Sequence, residues 1–387
     1  MTLLDRAQGS APWTPQSTGP RTEPGPLLPD AAPVRLLGED AAGSAGTAAG
    51  LAPELLRTLH RRLVTGRRFN EQATALAKQG RLAVYPSSTG QEACQIAAAG
   101  VLQPTDWLFP SYRDSLAAVA RGIDPVEVLT LLRGDAHSGW DPRRNRTAPL
   151  ATPLATQAPH AVGLARAAAL RGERLVALVL MGDGATSEGD FHEALNFAAV
   201  LRAPVVFLVQ NNGYAISVPL AKQSAAPSLA HKAVGYGLPG RLVDGNDAAA
   251  VHQVVGEAVE YARDTGGPVL VEAITYRVDP HTNADDPRRY RSPEEAAAWR
   301  DHDPLVLMER HLRAAGLLDE EQRSAAAAEA EALAERMRAA FRTDPRPDPL
   351  DLFAHVYAEP TPQLREQEAL LRAELAAEAE SSGEEHR

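Results

Sequence analysis

Residues 181–190, MGDGATSEGD, follow the apolar run LVALVL at 175–180 and lead into FHEALNFAAVL at 191–201. A glycine turn between a strand and a helix is a common site for a phosphate group, because the backbone N–H groups at the helix start point at the anion. Here Asp183 stands between two glycines, and its negative charge would repel a phosphate. A cation lying between the carboxylate and the phosphate would remove that repulsion.

A dinucleotide-binding turn is the first alternative for this stretch. Its fingerprint needs glycine at the first, third and sixth positions. Gly182 and Gly184 match the first two glycines, but Ser187 stands where the last glycine should be. The next predicted strand ends at Gln210 and is followed by two asparagines, where the fingerprint requires an acidic residue. The pattern therefore argues against an NAD-binding oxidoreductase.

A magnesium site explains the aspartate better. Asp183 and Asn212 each follow a predicted strand, and carboxylate and amide oxygens are ligands that Mg²⁺ prefers. Magnesium also leaves coordination positions open for phosphate oxygens. We therefore expect a bound diphosphate, completed by the backbone of Gly184 and Ala185 and by the start of a helix over 188–201.

The apolar segments around this turn predict the fold class. Continuous apolar strands at 174–180, 204–210 and 268–278 alternate with helical patterns, including one that begins near Ser111 and one over about 247–263. Such alternation predicts an α/β fold, a parallel sheet with helices on both faces. Ligands of these sheets bind beyond the carboxyl ends of the strands, where both Asp183 and Asn212 fall.

Composition narrows the class of protein further. The chain has 387 residues, a formal net charge of -11 and one cysteine. The acidic balance argues against nucleic-acid binding, and a lone cysteine excludes an internal disulfide framework. No apolar run approaches the roughly 20 residues that cross a bilayer, and the first residues lack a secretory pattern, so we predict a cytoplasmic protein without membrane contact.

The chain divides into three predicted parts. Residues 1–50 are rich in proline, glycine and alanine and predict a flexible N-terminal arm. Residues 51–345 carry the strand and helix alternation and predict the main domain. Residues 346–387 predict a C-terminal extension with a helical tail.

The segment GDGATSEGDFHEALNFAAVLRAPVVFLVQNNGYAIS, at 182–217, resembles the thiamine diphosphate signature. More narrowly, residues from about 55 to 375 resemble the alpha subunit of the first component of 2-oxo acid dehydrogenase complexes, the family that includes the branched-chain and pyruvate enzymes. The resemblance implies a thiamine diphosphate-binding fold with thiamine diphosphate and Mg²⁺ as cofactors.

The resemblance also implies a set of site residues. Asp183, Asn212 and the carbonyl of Tyr214 match its magnesium ligands. Thr156 and Gln157 match a potassium site that branched-chain members carry. The positions that match cofactor contacts are Tyr112, Arg113, Thr152, Leu154, Gly184, Ala185, Gln210 and His281.

Two histidines match active-site positions of the family. His281, in the loop RVDPHTNADDPRRYRS at 277–292, matches the histidine that faces the reacting end of the cofactor, and His137 matches a second one. An ordinary histidine pKa near neutral pH would let His281 move a proton during acyl transfer. Thr282 stands where some relatives are phosphorylated, although nothing in the sequence reveals a kinase.

The resemblance finally implies partners and a reaction. The family takes a glutamate for cofactor activation from a different domain, which implies a separate beta subunit and an α2β2 heterotetramer. The acyl group left by oxidative decarboxylation would pass to the lipoyl acyltransferase core of the complex. We favour branched-chain 2-oxo acids as substrates, with pyruvate as the alternative and acetoin or another acyl donor behind it; a non-catalytic cofactor-binding subunit is a further alternative.

Overall fold

The computed structural model describes residues 27–37, 50–135, 137–343 and 348–384. The predicted flexible arm at 1–50 therefore lies largely outside the described residues. Most of the predicted main domain and of the C-terminal helix lies within them. Among the described residues, no helix combines the length and the apolar character that crossing a membrane requires.

Five strands form one parallel sheet, and two short strands form an antiparallel hairpin beside it. The sheet order is β1-β2-β3-β7-β6, and the hairpin pairs β4 with β5. The strands are β1 (Trp107–Phe109), β2 (Ala177–Gly182), β3 (Val205–Asn211), β4 (Tyr214–Ala215), β5 (Val218–Pro219), β6 (Gly240–Asp244) and β7 (Val269–Ile274).

The helices cover the sheet and extend the chain beyond it. The described residues contain α1 (Pro53–Lys78), α2 (Glu92–Ala99), α3 (Ser115–Ala120), α4 (Pro125–Arg133), α5 (Pro142–Asn145), α6 (Gln157–Leu170), α7 (Gly189–Leu201), α8 (Ala248–Thr265), α9 (Pro293–Ala298), α10 (Pro304–Ala314), α11 (Glu320–Ala340), α12 (Asp351–Ala354) and α13 (Pro362–Glu384).

Both faces of the sheet are buried, as the continuous apolar strands predict. Leu178 and Leu180 of β2 belong to a core shared with α1, α2 and α8, whereas Val179 and Met181 belong to a second core shared with α6 and α7. Successive side chains of a strand point to opposite faces. Every residue of β3 is buried, which explains why its sequence shows no alternation of apolar and polar residues.

The structure places the start of α3 later in the chain than the sequence suggested. The sequence predicted a helix beginning near Ser111, but α3 begins at Ser115. The carboxylate of Asp114 accepts hydrogen bonds from the backbone N–H of Ser111, at 2.7 Å, and from its hydroxyl, at 2.6 Å. These bonds favour a tight turn over residues 111–114 instead of the first turn of a helix.

Asp247 connects the N-terminal segment to the edge of the sheet. Its side chain caps α8 by accepting from the N–H of Ala250 at 2.8 Å. The same carboxylate accepts from the N–H groups of Leu36 and Leu37, at 2.5 and 2.6 Å, and Val34 pairs with Val243 of β6. One buried carboxylate therefore satisfies three backbone donors from two parts of the chain.

Replacing Asp247 with alanine should destabilise the fold more than an ordinary cap mutation does. We expect Asp247→Ala to lower the free energy of unfolding by about 2–4 kcal/mol, because three buried N–H groups lose their acceptor. Asp124 is the matched control, since it caps α4 through the N–H of Val126 and is partly exposed. Asp124→Ala should cost about 1 kcal/mol. Equal losses for the two variants in chemical denaturation would show that Asp247 acts only as a cap.

Candidate active site

A cleft opens at the carboxyl ends of β2 and β3. Gly182 and Gln210 are partners in the parallel register, so the residues that follow the two strands emerge side by side. The predicted site residues that line the cleft are Tyr112, Arg113, Leu154, Gln157, Asp183, Gly184, Ala185, Gln210, Asn212, Tyr214 and His281.

Three predicted site residues do not line this cleft. Thr152 is exposed beside it, and the hydroxyl of Thr156 lies 3.3 Å from the carboxylate of Asp190, to which it donates. His137 is exposed, and its Nδ1 accepts from the N–H of Gly139. The predicted helix start near residue 188 does not line the cleft either. Residues 183–187 of the glycine turn form a short 3-10 helix that lies between the cleft and the start of α7.

The carboxylate of Asp183 is buried without a cationic partner. It is 1% exposed, and burial raises its pKa above the ordinary value. Its oxygen accepts a hydrogen bond from Nε2 of Gln223 at 3.1 Å, and no ion pair to it occurs in the described part of the chain. A buried carboxylate that lacks a counter-charge is costly, so a bound dication would stabilise this arrangement.

Glycine is required at position 184 because the turn packs closely against the hairpin. A Cβ atom on Gly184 would lie 2.8 Å from the Cβ of Ala215. The close approach brings the turn at 183–187 next to Tyr214 and Asn212. The side chain of Asn212 is held by two bonds: its Nδ2 donates to Oε1 of Gln91 at 3.1 Å, and its Oδ1 accepts from the N–H of Tyr214 at 3.2 Å.

The structure therefore fits the predicted magnesium ligands. Asp183, Asn212 and Tyr214 all line one cleft; the first two carry a carboxylate and an amide, and the resemblance assigns the third ligand to the backbone carbonyl of Tyr214. These are hard oxygen donors of the kind that Mg²⁺ takes alongside phosphate oxygens. In the described ranges there is no group of three or more histidine, cysteine or acidic side chains suited to a metal, so a site of the transition-metal type has no candidate there.

Gln210 lines the cleft, but its amide is occupied by protein groups. Its Nε2 donates to the carboxylate of Asp114 at 2.6 Å. Its Oε1 accepts from Nε2 of Gln91 at 3.4 Å and from Nε2 of Gln95 at 3.3 Å. Besides the predicted cofactor contact, Gln210 therefore holds three buried side chains together. The sequence did not indicate this structural role, because the partners are distant from Gln210 in the chain.

Arg113 holds the loop that carries His281. Its guanidinium donates to the carbonyl of Ser87 at 2.8 Å, and to the carbonyl and Nδ1 of His281, both at 3.0 Å. The ring of Tyr112 meets the His281 ring edge to face, with 6.0 Å between the ring centres. The pair predicted as a diphosphate contact therefore also contacts His281 and its loop.

A second arginine, which the sequence analysis did not single out, faces the same imidazole. Arg277 is 1% exposed, and its guanidinium donates to Nδ1 of His281 at 2.9 Å and to the hydroxyl of Tyr290 at 2.9 Å. The sequence did contain a signal: Arg277 lies three positions after the end of the apolar strand β7, and arginine is seldom fully buried without a partner. Asp285 completes the loop by accepting from the N–H of His281 and from Tyr290.

This environment corrects the expectation that His281 titrates near neutral pH. Burial, followed by the charges of Arg113 and Arg277, lowers its pKa from 6.5 to about 4. Because two guanidinium groups donate to Nδ1, the neutral ring carries its proton on Nε2. His281 therefore offers a neutral N–H donor at physiological pH, and not an imidazolium ion.

Comparison with known proteins places the chain in a family. The model of the dehydrogenase E1 component family matches residues 61–349. The chain belongs to this family. Its membership and the five-stranded parallel sheet confirm the predicted fold class, and membership implies thiamine diphosphate and Mg²⁺ as cofactors and subunits of a complex as partners.

Individual relatives within the dehydrogenase E1 component family match over most of the chain. The 3-methyl-2-oxobutanoate dehydrogenase subunit alpha of two Mycobacterium tuberculosis strains is 46% identical over 361 residues, which cover 92% of this chain and 98% of the relative. The pyruvate dehydrogenase E1 component subunit alpha of Staphylococcus aureus is 41% identical over 273 residues, 70% of this chain and 74% of the relative.

The low pKa of His281 should be measurable and should depend on Arg277. We expect the imidazole to stay neutral from pH 8 down to about pH 5, because the folded pKa lies near 4. The unfolded chain takes up the proton near 6.5, so the free energy of unfolding should decrease as the pH falls from 6.5 toward 4. Deuterium exchange at the imidazole Cε1–H, followed by mass spectrometry across pH, reports the pKa of this one residue.

Arg277→Met should raise the pKa of His281 toward its ordinary value, because it removes one of the two nearby positive charges. Arg288→Met is the control, since Arg288 is exposed and pairs with Asp286 instead of facing His281. A wild-type pKa near 6.5, or an equal shift in both variants, would show that the guanidinium groups do not suppress protonation.

Proposed function

We propose that the chain is the alpha subunit of a branched-chain 2-oxo acid dehydrogenase, which oxidatively decarboxylates 3-methyl-2-oxobutanoate and passes the acyl group to a lipoyl-bearing acyltransferase. The observation that carries the proposal is the 46% identity to a subunit of that name over 92% of this chain and 98% of the relative. Identity that spans nearly the whole relative supports a shared role, and not merely a shared domain.

The proposed cofactors are thiamine diphosphate and Mg²⁺. When bound, thiamine diphosphate supplies the electron sink that decarboxylation of a 2-oxo acid requires. Asp183, Asn212 and the carbonyl of Tyr214 would hold the cation, and the backbone of Gly184 and Ala185 would face the diphosphate. The uncompensated buried charge of Asp183 supports this assignment, because a dication would balance it.

The other predicted contacts complete the proposed site. Tyr112, Leu154 and Gln210 line the cleft, and Thr152 borders it without lining it. Thr152 stays in the proposal on the family resemblance alone. Arg113 would reach the diphosphate only by exchanging part of its bonding to the His281 loop.

His281 would act as a neutral hydrogen-bond donor toward the reacting end of the site. Its Nδ1 is engaged by Arg113 and Arg277, so its Nε2–H is the group left to donate a hydrogen bond to a substrate oxygen. The two arginines keep the imidazole in this tautomer and oppose its protonation.

A potassium ion is a further proposal for Gln157 and Thr156. Oε1 of Gln157 is buried at the cleft and has no hydrogen-bond partner, while its Nε2 donates to the carbonyl of Leu180 at 2.8 Å. A buried amide oxygen without a donor is expensive, and a monovalent cation would satisfy it. Thr156 borders this position, with its hydroxyl directed to Asp190.

The proposed assembly is an α2β2 heterotetramer with a separate beta subunit, which meets the lipoyl acyltransferase core of the complex. In the described part of the chain no glutamate lines the cleft. The glutamate that the family uses for cofactor activation would therefore come from the partner, as the resemblance implies.

Pyruvate is the alternative substrate, favoured by the 41% identity to the Staphylococcus aureus subunit. The two substrates differ by a branched apolar side chain. The enzyme co-produced with its beta subunit, with thiamine diphosphate, Mg²⁺ and a dye acceptor, should show a higher kcat/KM for 3-methyl-2-oxobutanoate than for pyruvate. The side chain of 3-methyl-2-oxobutanoate has two more carbon atoms than that of pyruvate, and one extra carbon in an apolar pocket is worth about 10- to 200-fold in kcat/KM.

A higher kcat/KM for pyruvate would make pyruvate the proposed substrate and leave the proposed cofactor site unchanged. If neither acid turns over in an assembled enzyme that binds both cofactors, the chain would be a non-catalytic cofactor-binding subunit or would act on another acyl donor. Failure to bind thiamine diphosphate with Mg²⁺ would contradict the proposed function as a whole.

The two histidines should be separable by mutation. His281→Asn should lower kcat by about 10²- to 10³-fold, the usual contribution of one hydrogen-bond donor aimed at developing charge. His137, retained in the proposal on the family resemblance, should show a smaller loss as His137→Asn, since it lies outside the cleft here. Thiamine diphosphate affinity, measured in parallel, distinguishes lost chemistry from lost binding. Unchanged turnover in His137→Asn would remove that residue from the active site.

A further inference from the structure

Two buried amide side chains, Gln210 and Gln91, connect Asp114 in a row to a third amide, that of Asn212. Nε2 of Gln210 donates to Asp114, at 2.6 Å, and Oε1 of Gln210 accepts from Nε2 of Gln91, at 3.4 Å. Oε1 of Gln91 in turn accepts from Nδ2 of Asn212, at 3.1 Å. All four side chains are at most 5% exposed.

The carboxylate of Asp114, at one end of this row, determines which side of each amide donates and which accepts. Asp114 already accepts from the N–H and the hydroxyl of Ser111, at 2.7 and 2.6 Å, and from Gln210. Both of its oxygens face donors, and a carboxylate in that setting is an acceptor only. Gln210 must therefore present its NH₂ group to Asp114 and its oxygen to Gln91.

A second group imposes the same orientation on Gln210. Nε2 of Gln95 donates to the carbonyl of Arg113 at 3.2 Å, and a backbone carbonyl can only accept. The same NH₂ group lies 3.3 Å from Oε1 of Gln210, which must therefore be the acceptor. The Asp114 carboxylate and the Arg113 carbonyl, which both only accept, therefore require the same orientation of the Gln210 amide.

The orientation matters at the other end of the row. Asn212 gives its NH₂ group to Gln91, which leaves Oδ1 on the side of Tyr214 and the cleft. If the amide were turned over, an NH₂ group would face a cation and repel it. The N–H of Tyr214 favours the same orientation, since it donates to Oδ1 at 3.2 Å.

We propose that Asp114 is a positioning residue for the cation site, whose acceptor-only carboxylate sets the amides of Gln210, Gln91 and Asn212 in turn, so that Oδ1 of Asn212 faces the metal. The inference rests on the proposed function, because it needs the cation site. It assigns Asp114, Gln210 and Gln91 a role that acts through Asn212 and not by contact with the metal.

Asp114→Asn tests the proposal with little change in shape. The oxygen of the new amide has to stay with the N–H of Ser111, so its NH₂ group faces Gln210. Two NH₂ groups would then meet at the former 2.6 Å contact, which is closer than the 3.3 Å contact of Gln210 with Gln95, so Gln210 turns its oxygen toward the new NH₂ group. The reversal passes through Gln91 to Asn212 and opposes the bond from the N–H of Tyr214. Residues that hydrogen-bond to metal ligands contribute about 10- to 100-fold to metal affinity. We therefore expect the Kd for the metal ion to rise by that factor in Asp114→Asn.

The measurement is Mn²⁺ binding, read by electron paramagnetic resonance, to the α2β2 enzyme with saturating thiamine diphosphate. Gln91→Glu supplies the decisive background. A carboxylate at position 91 accepts from Asn212 and from a reversed Gln210 alike, so it restores the orientation of Asn212 whatever Asp114 does. Asp114→Asn should therefore weaken Mn²⁺ binding 10- to 100-fold in the wild-type background and less than about threefold in the Gln91→Glu background. The added charge of Gln91→Glu cancels in this comparison.

Asp106→Asn is the matched control for loss of a buried carboxylate. Asp106 is 0% exposed, accepts from the N–H groups of Gln103 and Val176 and pairs with Arg263, and it lies before β1. It should lower the thermal midpoint and leave the Kd for Mn²⁺ unchanged. If Asp114→Asn does not assemble, Gln91→Met removes the middle link and should weaken Mn²⁺ binding by a similar factor.

Each outcome decides a different point. Equal losses in the two backgrounds, no loss in Asp114→Asn, or an equal loss in Asp106→Asn would overturn the positioning role. A wild-type enzyme that binds neither Mn²⁺ nor thiamine diphosphate would overturn the proposed function instead. Turnover is not needed for any of these results.

Discussion

The parallel pairing of β2 with β3 is the constraint on which the site depends. Gly182 and Gln210 are register partners, so the residue after β2, Asp183, emerges beside Asn212 after β3. Two core clusters, one on each face, bury both strands and prevent a shift in register, because a shift of one residue would move every side chain to the opposite face. The buried sheet therefore holds a carboxylate and an amide together that would otherwise be costly to bury.

Around that pair, the site is organised by buried polar groups whose partners are backbone carbonyls, amides and guanidinium groups. Asp183 forms no ion pair with any residue that the structure describes, whereas His281 has two guanidinium groups on one ring nitrogen. The first arrangement favours a bound dication, and the second disfavours an imidazolium ion. One cleft thus combines an anionic end, suited to metal and diphosphate, with a cationic end that keeps a histidine neutral.

The local signals for the cleft were strong because they lie within short stretches. Asp183, Asn212 and His281 each stand directly after a strand or within a loop with a distinctive pattern, and all three line the cleft. The long-range partners had no such signal. Asp114 bonds to Gln210 across 96 positions, and Arg113 reaches His281 across 168. The lowered pKa of His281 follows from the burial and the paired charges, so the ordinary pKa assumed from residue type was wrong.

The sequence by itself determined the α/β class, the strands around the phosphate turn and the residue types that fit a cation and a diphosphate, because continuous apolar strands and a glycine turn act through neighbours in the chain. Only the tertiary structure decided which groups meet across the cleft. It set the late start of α3, the tautomer of His281 and the direction of the amide row from Asp114 to Asn212. These depend on hydrogen bonds between distant segments, whose geometry exists only once the sheet and its two cores have formed.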